Sequence, residues 1–163
     1  MTTNGKLGGR MTETGVRIGG IHHVSRTVEN MERSLGFYRD LIGLDVLTDT
    51  EMSGEMLELE VGLEGAHLRL VELSVGEGPT MLELLEYTCP PSATGPLLRP
   101  CDVGAHHVAV VVSDIEQAYR HLQARGVRFT YPPQEVDAGF FRGHQTAYCF
   151  DPDGQILELW QTN

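Results

Sequence analysis

The chain has 163 residues, of which 40% are hydrophobic and 21% are charged, as expected for one globular domain or two small modules that share a core. Its net charge of −11 would repel nucleic-acid phosphates and anionic lipid, and its longest aliphatic run, at 108–112, is too short to span a bilayer. We therefore expect no nucleic-acid partner and no membrane partner. Three cysteines without a CxxC spacing are typical of a reducing compartment, so the cytoplasm is the expected location.

The N-terminal residues 1–19 are predicted to form a flexible tail. Six glycines occur in the first twenty residues, and the apolar residues there show no periodicity. Regular structure is expected to begin near Ile21.

A strand and then a helix are predicted directly after the tail. Met31, Leu35 and Tyr38 recur at the spacing of one helix face, and Gly43 is the expected end of this helix. The first unit is therefore predicted to open with a β-strand followed by an amphipathic helix.

Short strands are predicted in the rest of the first unit, at 44–50, 67–73 and 81–84. They are separated by glycines and prolines, which interrupt regular structure. The stretch 55–61 is open to two interpretations, since its alternation favours a strand while its Glu, Leu and Met content suits a short helix.

The second half of the chain repeats the first. Residues 104–115 match residues 20–31 at five of twelve positions, and the Leu-Glu-Leu of 82–84 recurs at 157–159. The helix after the repeated strand should begin with a capping box of Ser113 and Glu116 and end at Gly126. Further strands are predicted at 127–131, 146–150 and 156–159.

The expected fold is α+β, with two pseudo-symmetric βαβββ modules at 20–87 and 105–163. Residues 88–104 hold four of the eight prolines and are predicted to connect the modules. Helices outside two curved mixed sheets would leave an enclosed concave surface for a metal site.

Recurrence of histidine and glutamate within the repeat points to metal binding. A single strand histidine is usually a hydrogen-bonded core or edge residue, and a glutamate between leucines usually faces solvent. Both residue types recur at matching positions of the two units, which surface alternation alone would not require. Adjacent strand residues face opposite ways, so His22 and His23 should lie on opposite faces, as should His106 and His107. This alternation does not show which histidine of each pair binds the metal.

Four motifs carry a resemblance to a known family over roughly 21–161. They are Ile-His-His-Val at 21–24, Leu-Glu-Leu-Leu-Glu-Tyr at 82–87, His-His-Val-Ala-Val-Val-Val-Ser-Asp at 106–114 and Asp-Pro-Asp-Gly-Gln-Ile-Leu-Glu-Leu at 151–159. With them the chain resembles the vicinal-oxygen-chelate superfamily, which includes glyoxalase I, methylmalonyl-CoA epimerase and extradiol dioxygenases. The resemblance implies one divalent ion, of Ni, Co, Zn, Mn or Fe(II), with four ligands: His23, Glu83, His107 and Glu158.

Four protein ligands around an octahedral ion leave two positions for vicinal oxygens of a small carbonyl substrate. Chelation would stabilise an enediolate or enolate after a carbon loses its proton. By resemblance to glyoxalase I and the epimerase, Glu158 is the first candidate for the catalytic base and Glu83 the second. Isomerisation or epimerisation is therefore the expected reaction.

Two other functions remain open at this point. An Fe(II) extradiol dioxygenase is suggested by the stretch from Tyr148 to Glu158, although such enzymes use two histidines and one carboxylate and Glu83 would fill a position they leave free. A non-catalytic drug-binding protein is the other alternative, and the complete ligand set argues against it.

Substrate contacts are expected from the loop at 132–145 and from Tyr148. In that loop Arg142 could pair with an anionic group, and Phe140, Phe141 and His144 could line an apolar part of the ligand. The alternative is a solvated loop without a binding role, with its two aromatic residues packed under it. The resemblance favours a homodimer, and the modules could close on each other within one chain or across the dimer.

Overall fold

The protein is described from a computed structural model, which covers residues 13, 15, 18–92, 95 and 97–163. Most of the predicted flexible tail lies outside the described residues. The elements in chain order are β1 (His23–Thr27), α1 (Met31–Tyr38), β2 (Asp45–Ser53), α2 (Glu55–Val61), β3 (His67–Ser74), β4 (Met81–Cys89), β5 (Val108–Val111), α3 (Ile115–Gln123), β6 (Gln134–Glu135), β7 (Gln145–Phe150) and β8 (Ile156–Gln161).

The strands form two four-stranded mixed sheets with the same topology, in the orders β1-β4-β3-β2 and β5-β8-β7-β6. The first and last strands of each unit run parallel, and the other pairs are antiparallel. The predicted α+β fold of two βαβββ modules is confirmed. The sheets are not closed around a common site, because β1 and β5 are edge strands and no strand pairing joins the two sheets within the described part of the chain.

Both long helices begin at a side-chain cap. Asn30 accepts a hydrogen bond from the backbone of Arg33, and Asp114 accepts one from the backbone of Gln117. The predicted capping box at Ser113 and Glu116 is therefore wrong by one residue, since the Asp114 carboxylate is the acceptor at the N-cap position. Helix α3 also ends at Gln123, before the predicted glycine stop.

The ambiguous stretch before β3 is the helix α2. Its Leu57 side chain is buried against Ala66 and Leu68, on the face of the first sheet opposite the main core. The helix ends where Gly62 adopts a left-handed φ of 70°, a conformation that favours glycine. The sequence allows either a strand or a helix at 55–61, and burial of Leu57 in the folded protein favours the helix.

The predicted strand at 127–131 is wrong. Only Phe129 makes a β-bridge there, to Cys149, and the short strand beside β7 is instead Gln134–Glu135. Pro132 and Pro133 intervene, and proline cannot donate the backbone hydrogen bonds of a continuous ladder. Strand β4 extends to Cys89 and so overlaps the first residues of the predicted connector at 88–104.

The main hydrophobic core lies on the side of the sheets that α1 and α3 cover and includes residues of both modules. Leu82 and Leu84 of β4 contribute to it from the first module, and Leu157 and Leu159 of β8 from the second. The glutamate between each pair of leucines must therefore point to the opposite, concave face. Across the described ranges, no helix is both long and apolar enough to cross a membrane.

A buried polar network joins the two modules on the core face of the sheets. The Arg26 guanidinium donates to the Tyr38 hydroxyl at 2.7 Å and to Asp151 Oδ2 at 2.9 Å, and both ion-pair side chains have no solvent exposure. The Nη2 atom of Arg26 donates to the Ile156 carbonyl, and Asp151 Oδ1 accepts a hydrogen bond from the backbone N–H of Gln155. Burial raises the pKa of Tyr38, so its hydroxyl stays protonated and donates to Asp151.

Replacing Arg26 by methionine is expected to lower the free energy of unfolding by about 3–5 kcal/mol, because Asp151 would keep a buried charge without its cationic partner. Urea unfolding measures this change. Arg39→Met is the matched control, since Arg39 forms an exposed pair with Asp40 and its loss should leave the unfolding midpoint unchanged. Equal midpoints for the two variants would contradict a structural role for the network.

Candidate metal centre

The first half-site, which we define as His23 and Glu83, lies on the concave face of the first sheet. Ser25 is the register partner of Glu83 in the parallel β1–β4 pair, and His23 shares the face of Ser25 because it is two residues away. Burial raises the pKa of the Glu83 carboxyl and the charge of nearby Glu72 adds to this, while His23 opposes it. His23 and Glu83 are therefore placed on the same face of neighbouring strands.

His22 lies beside the first half-site as well. Its Nδ1 is 3.0 Å from Nδ1 of His23, and its carbonyl accepts a hydrogen bond from the Met81 backbone. The strand parity expected from sequence does not separate the two rings, because His22 precedes the first residue of β1. A hydrogen bond between two imidazole nitrogens needs one donor and one acceptor, so His22 can fix the orientation of the His23 ring.

The second half-site, defined as His107 and Glu158, lies on the concave face of the second sheet. Nε2 of His107 is 3.0 Å from Oε2 of Glu158, whose residue is 7% exposed. The other carboxylate oxygen, Oε1, accepts a hydrogen bond of 2.5 Å from the Thr146 hydroxyl. One oxygen is thus held by β7 while the other faces the histidine.

Tyr148 completes the wall next to the second half-site. Its hydroxyl is 3.4 Å from Nε2 of His107, and its register partner across the β7–β8 ladder is Glu158. Burial, and then the charge of Glu158, raise the pKa of Tyr148. The phenol therefore stays protonated at neutral pH and can donate a hydrogen bond.

The two half-sites do not meet within one chain. Among the described residues, no group of three or more His, Cys, Asp or Glu side chains is close enough to hold one metal ion. Of the two arrangements left open by the sequence, closure of a four-ligand site within one chain is therefore not seen among the described residues. Each half-site supplies one imidazole and one carboxylate, which is half of the donor set proposed from the sequence.

A cavity of about 650 Å³ opens beside His107 and Tyr148. Its other walls come from the connector, including Leu97 and Leu98, from the turn between β7 and β8, and from residues 27–33 of the first module. Leu97 packs so closely on Gly154 that a Cβ at that glycine would overlap it. The connector is thus a wall of the cavity that adjoins the second half-site.

The substrate loop predicted at 132–145 contributes aromatic side chains to the same sheet face. Phe140 is 95% exposed, while Phe141 and His144 contact the Trp160 ring with centroid distances of 5.2 and 5.3 Å. The guanidinium of Arg142 lies within 4.0 Å of no carboxylate in the residues that the structure describes.

Thr146 and Trp160 are site residues that the sequence analysis missed. Both follow from strand parity, because Trp160 is two residues beyond Glu158 on β8 and Thr146 is two residues before Tyr148 on β7. The pairing of Thr146 with Trp160 across the ladder requires the β7–β8 register, which the sequence does not specify.

Two βαβββ modules with a histidine–glutamate pair on each sheet define a two-module protein of the glyoxalase type. The chain belongs to the Glyoxalase/Bleomycin resistance protein/Dioxygenase superfamily, whose sequence profile matches residues 20–159. The family membership expected from the motifs is confirmed.

Two curated relatives are epimerases. The 2-epi-5-epi-valiolone epimerase of Actinomyces sp is 31% identical over 143 residues, covering 85% of this chain and 77% of the relative. The mitochondrial methylmalonyl-CoA epimerase of Dictyostelium discoideum is 25% identical, covering 76% of this chain and 67% of the relative. A crystal structure of a glyoxalase family protein from Bacillus cereus has a TM-score of 0.77 at 19% identity, covering 92% of this chain and 98% of that one.

Proposed function

We propose that this protein is a divalent-metal-dependent epimerase of a small carbonyl compound, with Glu158 as the base. The observation that carries the proposal is the geometry of Glu158. One carboxylate oxygen is fixed by Thr146 and the other faces His107 beside a cavity. A carboxylate held in this way is suited to take a proton from a carbon next to a carbonyl group. The 31% identity to a 2-epi-5-epi-valiolone epimerase supports the same reaction class.

The donor atoms present fit a divalent cation. Each half-site offers one imidazole nitrogen and one carboxylate, a donor set that suits Ni, Co, Zn, Mn or Fe(II). When bound, the ion would polarise the substrate carbonyl and stabilise the negative charge left by proton removal. The residues proposed to hold it are His23, Glu83, His107 and, until it takes the substrate proton, Glu158.

A second copy of the chain would complete each site. His23 is the first residue of β1, and His107 directly precedes β5. Both strands are edge strands, so their outer backbone groups are available to another chain. Val111 on β5 is 71% exposed, so this edge also presents an apolar side chain. We propose a homodimer in which the first half-site of one copy faces the second half-site of the other.

The proposed substrate is small and without several negative charges. The net charge is −11, and many of the described arginines are already paired with carboxylates: Arg26, Arg33, Arg39, Arg69 and Arg99. In the substrate loop Arg142 is the cation available for one anionic group. A ligand with several phosphates would need more cationic partners than this.

Thr146→Val is expected to weaken binding of the proposed cation by about tenfold or more, because outer-shell hydrogen bonds orient metal-ligating carboxylates. Thr146→Ser keeps the hydroxyl and should bind like the wild type. Titration of the chelator-stripped protein with Zn²⁺ gives the affinity, and thermal melting without metal checks that all three proteins fold. An unchanged affinity in Thr146→Val would contradict this role for the hydroxyl.

Oxidative ring cleavage at iron is the second candidate function. The observation that favours it is the Tyr148 hydroxyl beside Nε2 of His107, in a stretch that resembles extradiol enzymes. Such a reaction consumes dioxygen, whereas epimerisation does not. Oxygen uptake with a catechol would therefore distinguish the two.

The proposed function is tested by solvent exchange. The protein, reconstituted with each candidate metal, is incubated in D₂O with 2-epi-5-epi-valiolone, methylmalonyl-CoA or the hemithioacetal of glutathione. Epimerisation through proton removal predicts metal-dependent incorporation of deuterium at the carbon that inverts. Iron-dependent oxygen uptake with a catechol, and no exchange with any carbonyl substrate, would overturn the proposal.

A further inference from the structure

Three aromatic side chains form a cluster outside both hydrophobic cores. We define the aromatic cluster as Phe141, His144 and Trp160, whose rings contact one another at centroid distances of 5.2 to 5.6 Å. None of the three belongs to a core cluster in the described part of the chain. Their packing joins the loop that carries Phe141 and His144 to β8 outside the core.

The aromatic cluster lies next to the proposed base. Trp160 follows Glu158 by two residues on β8, so both side chains leave the same face of the sheet, with their Cα atoms about 7 Å apart. Leu159 between them is buried in the core on the opposite face. The indole therefore adjoins the carboxylate laterally, on the concave surface where a substrate would lie.

Hydrogen bonds hold the cluster in place. The Trp160 indole N–H donates to Nδ1 of His144 at 3.0 Å, and the loop that carries Phe141 and His144 is closed by two backbone bonds to Val136. Gly143, with a φ of 91°, lies against the Asn163 side chain, where a Cβ would overlap it. The rings are thus pre-organised, which lowers the entropic cost of binding a ligand.

The aromatic cluster is partly open to solvent and lies beside polar groups, as expected of a surface that contacts a ligand. Phe141 is 49% exposed although its ring packs on Trp160. An apolar surface with a few polar groups beside it, here Glu158 and the Thr146 hydroxyl, is typical of a small-molecule site. A cyclic ligand can place its C–H face on the rings while its oxygens reach the polar groups.

We propose that the aromatic cluster is the specificity subsite for the ring of a cyclic carbonyl substrate, which it stacks upon so that the carbon next to the carbonyl lies at Glu158. The role of Glu158 in this proposal rests on the proposed function, whereas binding of the ring by the aromatic cluster does not. It excludes an open-chain thioester as the preferred substrate, because an extended acyl chain offers no ring face for stacking.

The test uses the fact that the chain has one tryptophan. Fluorescence of the Zn²⁺-loaded protein, excited at the red edge of absorption where the five tyrosines do not absorb, therefore reports on Trp160 alone, and Zn²⁺ does not quench it. Titration with 2-epi-5-epi-valiolone is expected to change the emission saturably, whereas the methylmalonyl thioester of N-acetylcysteamine, which has no ring, should leave it unchanged. An emission that does not respond to 2-epi-5-epi-valiolone would overturn the subsite.

Kinetics with the same ketone provide a second readout. Trp160→Leu is expected to raise KM about tenfold with a smaller effect on kcat, as for loss of binding shared by ground and transition states. Trp160→Phe keeps an aromatic face and should restore most of the affinity. Tyr131→Leu is the control, since Tyr131 is 71% exposed in the same module and lies outside the cluster.

The outcomes separate the subsite from the reaction. Saturable fluorescence change without any deuterium exchange supports the subsite and overturns the proposed epimerase. Exchange with an unchanged KM in Trp160→Leu, in a variant that melts like the wild type, overturns the subsite and leaves the epimerase intact. Loss of dimerisation in Phe141→Ala would instead assign the cluster to the interface between copies and overturn the subsite.

Discussion

Glu158→Gln is expected to lower kcat for epimerisation by about 10²–10⁴-fold, the usual contribution of a positioned general base. The amide oxygen can still accept the hydrogen bond from Thr146, but glutamine cannot take the substrate proton. Because the side chain keeps its shape and this hydrogen bond, the metal-free variant should unfold close to the wild-type midpoint. Deuterium exchange and thermal melting of the same preparations measure both effects.

The matched control for this variant is Glu116→Gln. Glu116 is an exposed carboxylate in the first turn of α3, away from both half-sites, and its loss should leave kcat unchanged. Equal rates for Glu158→Gln and the wild type would remove Glu158 from the reaction. Glu83→Gln would then be the variant to compare, since Glu83 is the second candidate for the base.

Mixing two inactive variants is expected to restore activity. In the proposed dimer, a His23→Ala chain has an intact second half-site and a His107→Ala chain has an intact first half-site. A mixed dimer therefore contains one complete site, and random assembly gives about one quarter of the wild-type number of sites. Neither variant alone has a complete site, so the expected change is from background to about a quarter of wild-type activity.

Co-expression with two affinity tags isolates the mixed dimers, in which one of the two sites is complete, so the purified mixed dimer should have about half of the wild-type activity. A His23→Ala, His107→Ala double variant, co-expressed with itself, is the control that cannot form a complete site. Activity that stays at background in the purified mixed dimer would show that each site is built from one chain and would contradict the proposed dimer.

The two-module architecture could be predicted because the repeat is written in local residue patterns. Leu82 and Leu84 flank Glu83 in the first module as Leu157 and Leu159 flank Glu158 in the second, and these leucines form the core that the pattern implies. Local errors arose where two signals compete. Ser113 and Asp114 are both good caps, and the structure uses Asp114.

The relation between the modules could not be predicted, since it depends on contacts between distant residues. Arg26 is unexpected on the core face of a strand, and its partner Asp151 is 125 residues away. The same holds for Trp160 and His144, whose contact requires both the β7–β8 register and the loop conformation. The repeat could pair each histidine with a glutamate, whereas the separation of the two pairs into two half-sites required the structure.

The most direct test of the account is the metal content of the purified protein after loading with a divalent cation and removal of the excess. Elemental analysis is expected to give one ion per wild-type chain, and almost none for the Glu83→Ala, His107→Ala double variant, which removes one ligand from each half-site. If the double variant retained the wild-type stoichiometry while folding normally, the proposed metal centre would be wrong.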